Sequence, residues 1–422
     1  MAAVVRGVGY RLSIPRYLAA KALGRRLPTL YYGRLSNVGV ITLPRRPLPG
    51  PDWVRLVPIL AGICGSDLGT ITGRNSPALS PLVSFPAVLG HEVVARVVEA
   101  GPQAGVAAGQ RVVVNPFLPC QVRGLEPCPT CQRGETCMCE NFDQGAFAPG
   151  MLLGFCRDLP GAWSEEFLAH RSQLFPAPAG LSDDRLVLVE PLAIALHAVL
   201  REPPGEGARV LVVGAGPIGL ATIAALRLLE LPVHVTVVAK YPLQEELARR
   251  FGADRVYRWR RGEAPAFRAA REVTGARILK PVLGRAVVSG GFDVTYDCVG
   301  SRASLDDALR VTRPGGRVVV AGAAGQIPQL DWTFVWSKGL RVVGSVGYEL
   351  EQVGGRQVHT IQLAMELLEG RPDLPLEAMI THRFPLERYR EALALSLGPQ
   401  RREAVKVVFT GPAREDGAFG RP

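Results

Sequence analysis

The pattern of apolar and polar residues divides this chain into two parts that meet near residue 192. From about residue 36 to residue 115, short apolar runs such as WVRLVPIL, HEVVARVVEA and QRVVV are separated by turns rich in glycine and proline. That pattern predicts a β-rich, barrel-like domain. From about residue 192, strand-like and helix-like runs alternate, as in RVLVVGAG, GLATIAALRLLE and VHVTVVA. This alternation predicts an α/β fold with a doubly wound parallel sheet.

Two later stretches do not fit this alternation. Residues 276–291, ARILKPVLGRAVVSGG, lie between a helix and a strand and are more than such a link needs. The pattern indicates no role for them. The sequence GPAREDGAFGRP at 411–422 is typical of a frayed tail.

The composition, with 47% hydrophobic and 21% charged residues, is ordinary for a globular protein. No apolar run approaches about 18 residues, so we expect no membrane-spanning helix. The net charge of +11 is unevenly placed, because residues 1–51 hold nine Arg or Lys and no acid, which leaves +2 for the rest. This uneven distribution argues against a nucleic-acid-binding protein.

The basic N-terminal segment, residues 1–35, mixes apolar and cationic residues without a clean helical stripe, because Lys21 and Arg25 fall near the same face as Leu18. We interpret it as an arm for packing or oligomer formation. Contact with an anionic membrane surface or another acidic partner, and disorder, are the alternatives. The segment lacks the apolar region and cleavage site of a secretory signal, so we expect a cytoplasmic protein.

A glycine-rich turn lies between the strand RVLVV and a helix: Gly214, Gly216 and Gly219 form G-x-G-x-x-G, with Pro217 and Ile218 inside it. The first glycine permits a tight turn, the second lets the backbone approach a pyrophosphate, and the third lets helix and strand pack closely. The pyrophosphate would rest on the helix N-terminus, where free N–H groups favour an anion. This context predicts dinucleotide binding.

The next strand indicates which dinucleotide is bound. An acid at its end would hold a ribose 2′-hydroxyl and repel a 2′-phosphate. Here the strand ends at Ala239, followed by Lys240, and no acid occurs before Glu245. NADP(H) is therefore favoured over NAD(H), unless Lys240 is only a solvated loop residue.

Three residues of the types that bind zinc occur in separate motifs before this turn: Cys64 in GICGSD, His91 in GHE and Glu190 in VEPLA. Catalytic zinc takes three protein ligands from Cys, His and carboxylate and keeps one position open. There it polarises an alcohol oxygen, which helps the neighbouring carbon to release hydride. A zinc site followed by a dinucleotide site predicts metal-assisted hydride transfer.

These motifs resemble the zinc-containing medium-chain alcohol dehydrogenase family. The strings GICGSD, LGHE, GAGPIG, DCVG, RPGGRVVVAG and THRFPL carry the resemblance over roughly residues 36–410. The string VEPLAIALHAV resembles the polyol, threonine and glucose dehydrogenase branch, in which a glutamate replaces a third cysteine. The resemblance implies a GroES-like catalytic domain and a Rossmann coenzyme domain. We expect a basic extension at 1–35, the catalytic domain at 36–191 with a zinc lobe at 116–142, the Rossmann domain at 192–346, the returning catalytic part at 347–410 and the tail at 411–422.

The resemblance also implies roles for site residues. The catalytic zinc ligands would be Cys64 and His91, with Glu190 and Glu92 as alternative carboxylates. Asp67 would orient His91, and Ser66 would hydrogen-bond the substrate hydroxyl and pass its proton onward. Many relatives complete a proton relay with a histidine five residues after the cysteine, whereas this chain has Gly69.

Four cysteines resemble the family's structural zinc lobe, in which thiolates fill all four positions: Cys120, Cys128, Cys131 and Cys139. The family's first spacing is C-x2-C, and C-x7-C here adds about five residues. Cys137 is a spare that could substitute for Cys120, and a degenerate lobe without metal is the alternative. Thiolates on zinc in so large a chain fit a reducing compartment better than disulfides do.

Other residues have weaker assignments. Lys406, in AVKVVF, aligns with a basic residue that contacts a coenzyme phosphate in relatives. We expect Cys156 and Cys298 to be core cysteines, and His197, on an apolar helix, to be structural.

The sequence therefore predicts a zinc-dependent oxidoreductase that transfers hydride between a secondary alcohol or polyol and NADP(H) or NAD(H). Relatives are commonly dimers or tetramers, so we expect a homo-oligomer with a small-molecule substrate. The alternative, favoured by Gly69 and the basic segment, is a catalytically weakened coenzyme-binding scaffold or interaction protein. Zinc-free quinone reductases share the fold but lack the residues corresponding to Cys64 and His91.

Overall fold

The structure, a computed structural model, describes residues 3–412, so most of the tail predicted at 411–422 lies outside the described residues. The strands are β1 Val4–Tyr10, β2 Val38–Pro44, β3 Trp53–Gly62, β4 Ala87–Val88, β5 Glu92–Ala100, β6 Arg111–Val114, β7 Phe167–His170, β8 Leu174–Pro176, β9 Arg209–Val213, β10 His234–Ala239, β11 Arg255–Arg258, β12 Arg277–Leu279, β13 Val287–Ser289, β14 Phe292–Asp297, β15 Thr312–Val320, β16 Arg341–Gly344, β17 Leu350–Val353, β18 Arg356–His359, β19 Ile380–Pro385 and β20 Lys406–Thr410.

The helices connect these strands. They are α1 Ile14–Leu23, α2 Thr29–Tyr32, α3 Gly65–Thr72, α4 Pro129–Gln132, α5 Asp183–Leu186, α6 Val189–Arg201, α7 Pro217–Leu228, α8 Pro242–Arg250, α9 Pro265–Thr274, α10 Arg302–Val311, α11 Thr333–Ser337, α12 Thr360–Gly370 and α13 Tyr389–Leu397. Within the described residues, no helix has the length and apolar character that a membrane span requires.

The second half of the chain contains a six-stranded parallel sheet in the order β11-β10-β9-β14-β15-β16. Its central strands β9 and β14 are mostly buried, as expected for strands covered by helices on both faces. The strand order reverses between β9 and β14, which opens a crevice at the carboxyl ends of the strands. The predicted doubly wound α/β sheet is confirmed.

The other main unit is β-rich, as predicted. Its larger sheet has the order β19-β20-β3-β5-β6-β8, with β7 also paired to β3. The last strand of the chain, β20, returns to pair with β3 antiparallel, placing Val408 opposite Gly62. The C-terminal part of the described chain therefore returns to the sheet that contains β3 and β5.

The N-terminal segment contributes a strand to this unit. Strand β1 pairs with β2 along its whole length, from Val4 opposite Pro44 to Tyr10 opposite Val38, and also with β4. Helices α1 and α2 are inserted between β1 and β2. A boundary at residue 35 would divide this hairpin, and the division of the chain into domains stays a prediction.

The stretch at 276–291, which had no predicted role, contains an antiparallel hairpin. Strand β12 pairs with β13, with Arg277 opposite Ser289. At its tip, Val282 and Leu283 are almost fully exposed.

One buried tryptophan, Trp163, contacts both segments that precede the predicted zinc ligands Cys64 and His91. Trp163 has 0% of its surface exposed, and its indole N–H donates to the carbonyl of Gly62, 3.0 Å away. A Cβ on Gly90 would overlap the indole ring, so glycine is required for this close approach. Phe409 of β20 packs edge-on against the same ring, with centroids 5.1 Å apart.

We predict that Trp163→Ala lowers the free energy of unfolding by about 3–5 kcal/mol, because it leaves a large cavity and removes the hydrogen bond to Gly62. Urea denaturation measures this change. Trp332→Ala is the matched control, since Trp332 is 56% exposed and should change stability by about 0.5 kcal/mol or less. Equal effects of the two substitutions would contradict this account of the core.

Candidate active site

The candidate site forms where three neighbouring strands of the larger β-rich sheet begin or end. Cys64 comes two residues after β3, and His91 comes one residue before β5. The register places Gly62, the last residue of β3, opposite Glu92, the first residue of β5. Cys64 and His91, which are far apart in the sequence, are thereby brought together, and Cys64 is one of the groups that raise the pKa of His91.

Asp67 holds both motifs in place. It is fully buried in the first turn of α3, where its Oδ2 accepts a hydrogen bond from the Cys64 N–H at 3.0 Å. Its Oδ1 lies 3.5 Å from Nδ1 of His91, a charge contact longer than a normal hydrogen bond. Nε2 of His91 points the other way and lies 3.1 Å from the Ser66 hydroxyl. This orientation leaves Nε2 as the ring nitrogen available to a metal, with Ser66 beside it.

Negative charge surrounds the imidazole. Burial would lower the pKa of His91, but the charges of Asp67 and Cys64 outweigh burial and raise this pKa well above its ordinary value. Phe155 covers part of the ring, with centroids 5.8 Å apart. The site thus combines a buried apolar wall with an excess of anionic groups.

Glu92 is paired with the one lysine buried at this site. Its Oε2 lies 2.5 Å from Nζ of Lys406, the first residue of β20, and both side chains are about 2% exposed. Glu92 also fills the space beside Gly62, where a Cβ would overlap the carboxylate. The predicted contact between Lys406 and a coenzyme phosphate stays a prediction, and the partner of its ammonium group here is Glu92.

Glu190 reaches the site from helix α6. It lies in the first turn of this helix, where an acid is favourable, and α6 packs against α7 of the parallel sheet. Burial, followed by the charge of Glu92, raises the pKa of Glu190 to about 7. The hydroxyl of the fully buried Tyr348 donates to its Oε1 at 3.2 Å.

The cysteine lobe holds Tyr348 through Cys137. The Cys137 thiol donates to the Tyr348 carbonyl at 2.8 Å, and the Tyr348 N–H donates back to the sulfur at 3.3 Å. Sequence reasoning missed Tyr348, which lies 158 positions from Glu190. No local motif marks such a contact. The single signal in the sequence was a tyrosine at the end of the string GSVGY, which has no other large polar side chain.

The donor chemistry of the site fits zinc. A partly buried thiol, a buried imidazole and two buried carboxylates lie close together, and the buried Lys406 is paired with one of the carboxylates, Glu92. A divalent cation would offset the remaining negative charge, which is costly to bury alone. The donors are not yet convergent: His91 contacts Ser66, Glu92 contacts Lys406 and Glu190 contacts Tyr348. Their roles as ligands stay predictions.

Gly69 occupies the position at which many relatives have a histidine of the proton relay. Asn75 fills the space beside it. A Cβ on Gly69 would overlap the Asn75 amide oxygen. The amide nitrogen of Asn75 donates to the Ser66 carbonyl at 3.1 Å and to the Thr70 hydroxyl at 2.8 Å. A histidine at position 69 would therefore need a smaller residue than asparagine, or a different side-chain position, at Asn75. In the sequence, the polar Asn75 six positions after Gly69 was the one signal of this arrangement.

The four sulfur atoms of the cysteine lobe point towards one another. In residues 3–412 it is the one group of three or more His, Cys, Asp or Glu whose donor atoms all lie within 4.8 Å of one another: Cys120, Cys128, Cys131 and Cys139. N–H groups donate to these sulfurs, including Asn141 Nδ2 to Cys120 at 3.2 Å. Burial alone would raise the pKa of Cys128, but hydrogen bonds from Thr130 and the Glu140 N–H lower it to about 6. These features fit four thiolates around one ion.

The glycine-rich turn lies at the carboxyl end of β9, in the crevice of the parallel sheet. Gly214 has a φ of +94°, which favours glycine, and a Cβ on Gly219 would overlap the Gly214 carbonyl. A Cβ on Gly216 would meet nothing within 4 Å, so this side of the turn is open to a ligand. Pro217 and Ile218 begin helix α7, whose free N–H groups face the same opening.

A cationic edge lies beside this crevice. Lys240 follows β10, and the parallel neighbour β11 places Arg258 opposite Ala239. The Trp259 N–H donates to the Ala239 carbonyl at 2.8 Å, so Arg260 and Arg261 follow β11 at the same edge of the sheet at which Lys240 follows β10. Sequence reasoning named Lys240 but missed these two arginines, because their proximity follows from strand pairing.

The remaining predicted residues lie away from the site. His197 is buried on α6, and its Nδ1 lies 2.6 Å from Oε1 of Glu351, a hydrogen bond that lies away from the site. Cys156 is fully buried in the core of the β-rich unit. Cys298 is only partly buried and lies near Thr222 of α7.

Two family models match the chain. The alcohol dehydrogenase GroES-like domain matches residues 50–179, and the zinc-binding dehydrogenase domain matches residues 217–369. The first range contains Cys64, His91 and the cysteine lobe, and the second contains most of the parallel sheet.

Curated relatives are similar along nearly their whole length. The chain is 30% identical over 393 residues to an erythritol/L-threitol dehydrogenase of Mycolicibacterium smegmatis, covering 89% of this chain and 93% of that one. It is 28% identical over 379 residues to D-arabinitol dehydrogenase 1 of Uromyces fabae, covering 89% and 95%. Both names describe polyol dehydrogenases.

Solved structures share the fold. A Sinorhizobium meliloti 1021 protein described as a zinc-binding dehydrogenase bound to NADP superimposes with a TM-score of 0.69 at 25% identity, covering 97% of this chain and 99% of that one. L-Idonate 5-dehydrogenase of Escherichia coli superimposes with a TM-score of 0.70 at 20% identity, covering 97% and 99%. Together with the motif geometry, these similarities show that the chain belongs to the zinc-containing medium-chain alcohol dehydrogenase family, in its polyol dehydrogenase-like branch.

Proposed function

We propose that this enzyme transfers hydride between a secondary alcohol, most simply a polyol, and NADP(H), with zinc at the site of Cys64 and His91. The observation that carries the proposal is the partly buried thiol beside a buried imidazole and buried carboxylates. Helix α6, which carries Glu190, packs against the helix of the glycine-rich turn. The relatives named for erythritol/L-threitol and D-arabinitol support a polyol substrate. These names and the family's metal residues favour an enzyme over the scaffold interpretation.

Zinc, when bound, supplies Lewis-acid polarisation of the substrate oxygen. Cys64, His91 and one of the two glutamates would hold it, and Glu190 is the favoured carboxylate because Lys406 already neutralises Glu92. Tyr348 and Asp67 orient Glu190 and His91 respectively. The crevice beside the glycine-rich turn would hold the nicotinamide coenzyme, which would supply the hydride acceptor.

Ser66 accepts the proton of the substrate alcohol and passes it on. Its hydroxyl lies beside the imidazole of His91, where it can accept a proton from a bound alcohol. Its carbonyl is held by Asn75, whose amide does not titrate and so cannot serve as the next proton acceptor. The proton therefore leaves Ser66 through water, because Gly69 stands where the relay histidine would be and Asn75 fills the space beside it.

The cationic edge supports NADP(H) over NAD(H). Glu245, the first acid after β10, is paired with Arg249 at 2.8 Å and with Arg258 at 3.4 Å, so it does not offer a free carboxylate to a ribose hydroxyl. Within residues 3–412, no carboxylate lies within ion-pair distance of Lys240, Arg260 or Arg261, so these cations suit a 2′-phosphate.

The proposal includes a second, structural zinc and a homo-oligomer in the cytoplasm. The four convergent thiols support the structural ion, and a reducing compartment keeps such thiols available. The exposed edge strand β16 of the parallel sheet gives a second copy of the chain a place to pair.

A panel of polyols, sugars, amino alcohols and aromatic alcohols tests the function with both coenzymes. We predict polyol-dependent NADPH formation by the native protein. Cys64→Ala should reduce this rate by at least about a thousandfold while NADPH binding, followed by its fluorescence, is retained. Cys156→Ala, at a buried cysteine outside the site, should keep both properties. Full turnover by Cys64→Ala would refute the metal mechanism.

Coenzyme choice is tested at Lys240. We predict that Lys240→Glu lowers kcat/KM for NADP⁺ relative to NAD⁺ by about 10–100-fold, because a charge-assisted contact with the 2′-phosphate becomes a repulsion. Lys280→Glu, in the loop of the β12–β13 hairpin, should leave this ratio unchanged. A native enzyme that strongly prefers NAD⁺ would overturn the coenzyme proposal.

Metal analysis tests the cysteine lobe. We predict two zinc ions per native chain and one per chain in Cys120→Ser, because that substitution removes a converging thiolate. Cys137→Ser should keep two, since the Cys137 sulfur contacts Tyr348 instead. The reverse pattern would show that Cys137 is the ligand, and one zinc in the native chain would indicate a degenerate lobe.

A further inference from the structure

Helix α1 exposes apolar side chains that a surface helix normally buries. One residue of α1, Ala20, is buried, whereas Ile14 and Leu18 each keep 57% of their surface exposed. Together with the exposed Ala22 they occur at i, i+4 and i+8, which places them on one face of the helix. An outward apolar stripe of this kind indicates a surface that contacts something else.

The same character continues through the whole insertion between β1 and β2. Further large apolar side chains with about half or more of their surface exposed are Leu12, Leu23, Leu27 and Leu35. Exposed apolar residues therefore recur from residue 12 to residue 27, and Leu35 adds one at the end of the insertion.

The insertion is nevertheless anchored to the protein. Tyr17 lies against Gly73, the residue that ends helix α3, and α1 packs on α3. The buried Tyr31 lies against Gly24, and the Tyr10 hydroxyl accepts a hydrogen bond from Asn37 at 3.0 Å. Aromatic side chains therefore hold the inner side of the insertion, and the aliphatic ones remain outside.

All formal charges of the insertion are positive. Its cations are Arg11, Arg16, Lys21, Arg25, Arg26 and Arg34, and residues 1–51 contain no acid. Within residues 3–412, none of these six cations has a carboxylate within ion-pair distance; the ion pairs of this end of the chain involve other arginines, such as Arg6 and Arg45. Lys21 lies on the same helical face as Ile14 and Leu18, seven positions after Ile14.

The positive surface extends onto the body of the protein. Burial lowers the pKa of Arg74, and the nearby charges of Arg401 and Arg25 act in the same direction. Three cations from separate segments therefore lie near one another at the base of the insertion.

An anionic bilayer fits this surface better than a second copy of the chain does. A two-fold contact through this face would bring two segments without acids against each other, and their cations would repel. An anionic lipid surface offers phosphates and carboxylates to the cations and a shallow apolar layer to the leucines.

We propose that residues 11–35 form a docking surface for an anionic lipid bilayer, with Ile14 and Leu18 entering the headgroup region between lysine and arginine contacts. This inference is independent of the catalytic proposal, because α1 contacts the end of α3 at Gly73, whereas Cys64 precedes its first turn. Substitutions on the outer face of α1 should therefore leave alcohol oxidation unchanged.

Cosedimentation of the full chain with vesicles tests the proposal. The probes are phosphatidylcholine vesicles and phosphatidylcholine vesicles that contain phosphatidylserine. We expect binding to the anionic vesicles at least about tenfold tighter than to the neutral ones, and weaker at high salt. Ile14→Gln/Leu18→Gln and Arg25→Gln/Arg26→Gln should each weaken anionic-vesicle binding about tenfold with unchanged enzyme activity.

Two matched pairs in the exposed β12–β13 hairpin serve as controls. Val282→Gln/Leu283→Gln removes apolar residues that are even more exposed than Ile14 and Leu18, and Arg277→Gln/Lys280→Gln removes two charges. Both should bind vesicles like the native chain. Equal binding to both vesicle types, no loss in the α1 variants, or equal loss in the control variants would overturn the proposal. Loss of self-association in sedimentation velocity, without any vesicle binding, would assign the surface to a second copy instead.

Discussion

The structure depends on a concentration of buried negative charge at the ends of three strands. Glu92 and Glu190 are both nearly inaccessible to water, and one lysine, Lys406, is buried with them. Two carboxylates in such a place repel each other, which raises the pKa of Glu190 beyond what burial does. A divalent cation would offset this charge, and the chemistry of the neighbouring thiol and imidazole suits zinc.

The surrounding fold keeps these groups in place through close backbone approaches. Trp163 fits between Gly62 and Gly90, so the segments before Cys64 and His91 are fixed to one buried ring. From the other side, the cysteine lobe holds Tyr348 through Cys137, and Tyr348 holds Glu190. The cysteine lobe thus supports Glu190, the candidate third zinc ligand, although the two are far apart in the sequence.

Sequence reasoning predicted what local motifs encode and missed what strand pairing creates. The α/β sheet, the glycine-rich turn and the pairing of Cys64 with His91 follow from short strings with characteristic spacing. The contacts of Glu92 with Lys406 and of Glu190 with Tyr348 join residues more than 150 positions apart, and no spacing marks them. Strand β1 was missed because its sequence, VVRGVGY, has two glycines and an arginine within a basic segment, and its partners lie beyond the inserted helices.

The central claim is that the buried anionic set holds a metal on which turnover depends. Stepwise removal of zinc with a chelator, with metal content, polyol-dependent NADPH formation and circular dichroism measured on the same samples, tests it most directly. We predict that activity falls in proportion to the loss of the ion from the open site, that the fold is retained, and that added zinc restores activity. Undiminished polyol oxidation by metal-free protein would contradict the account.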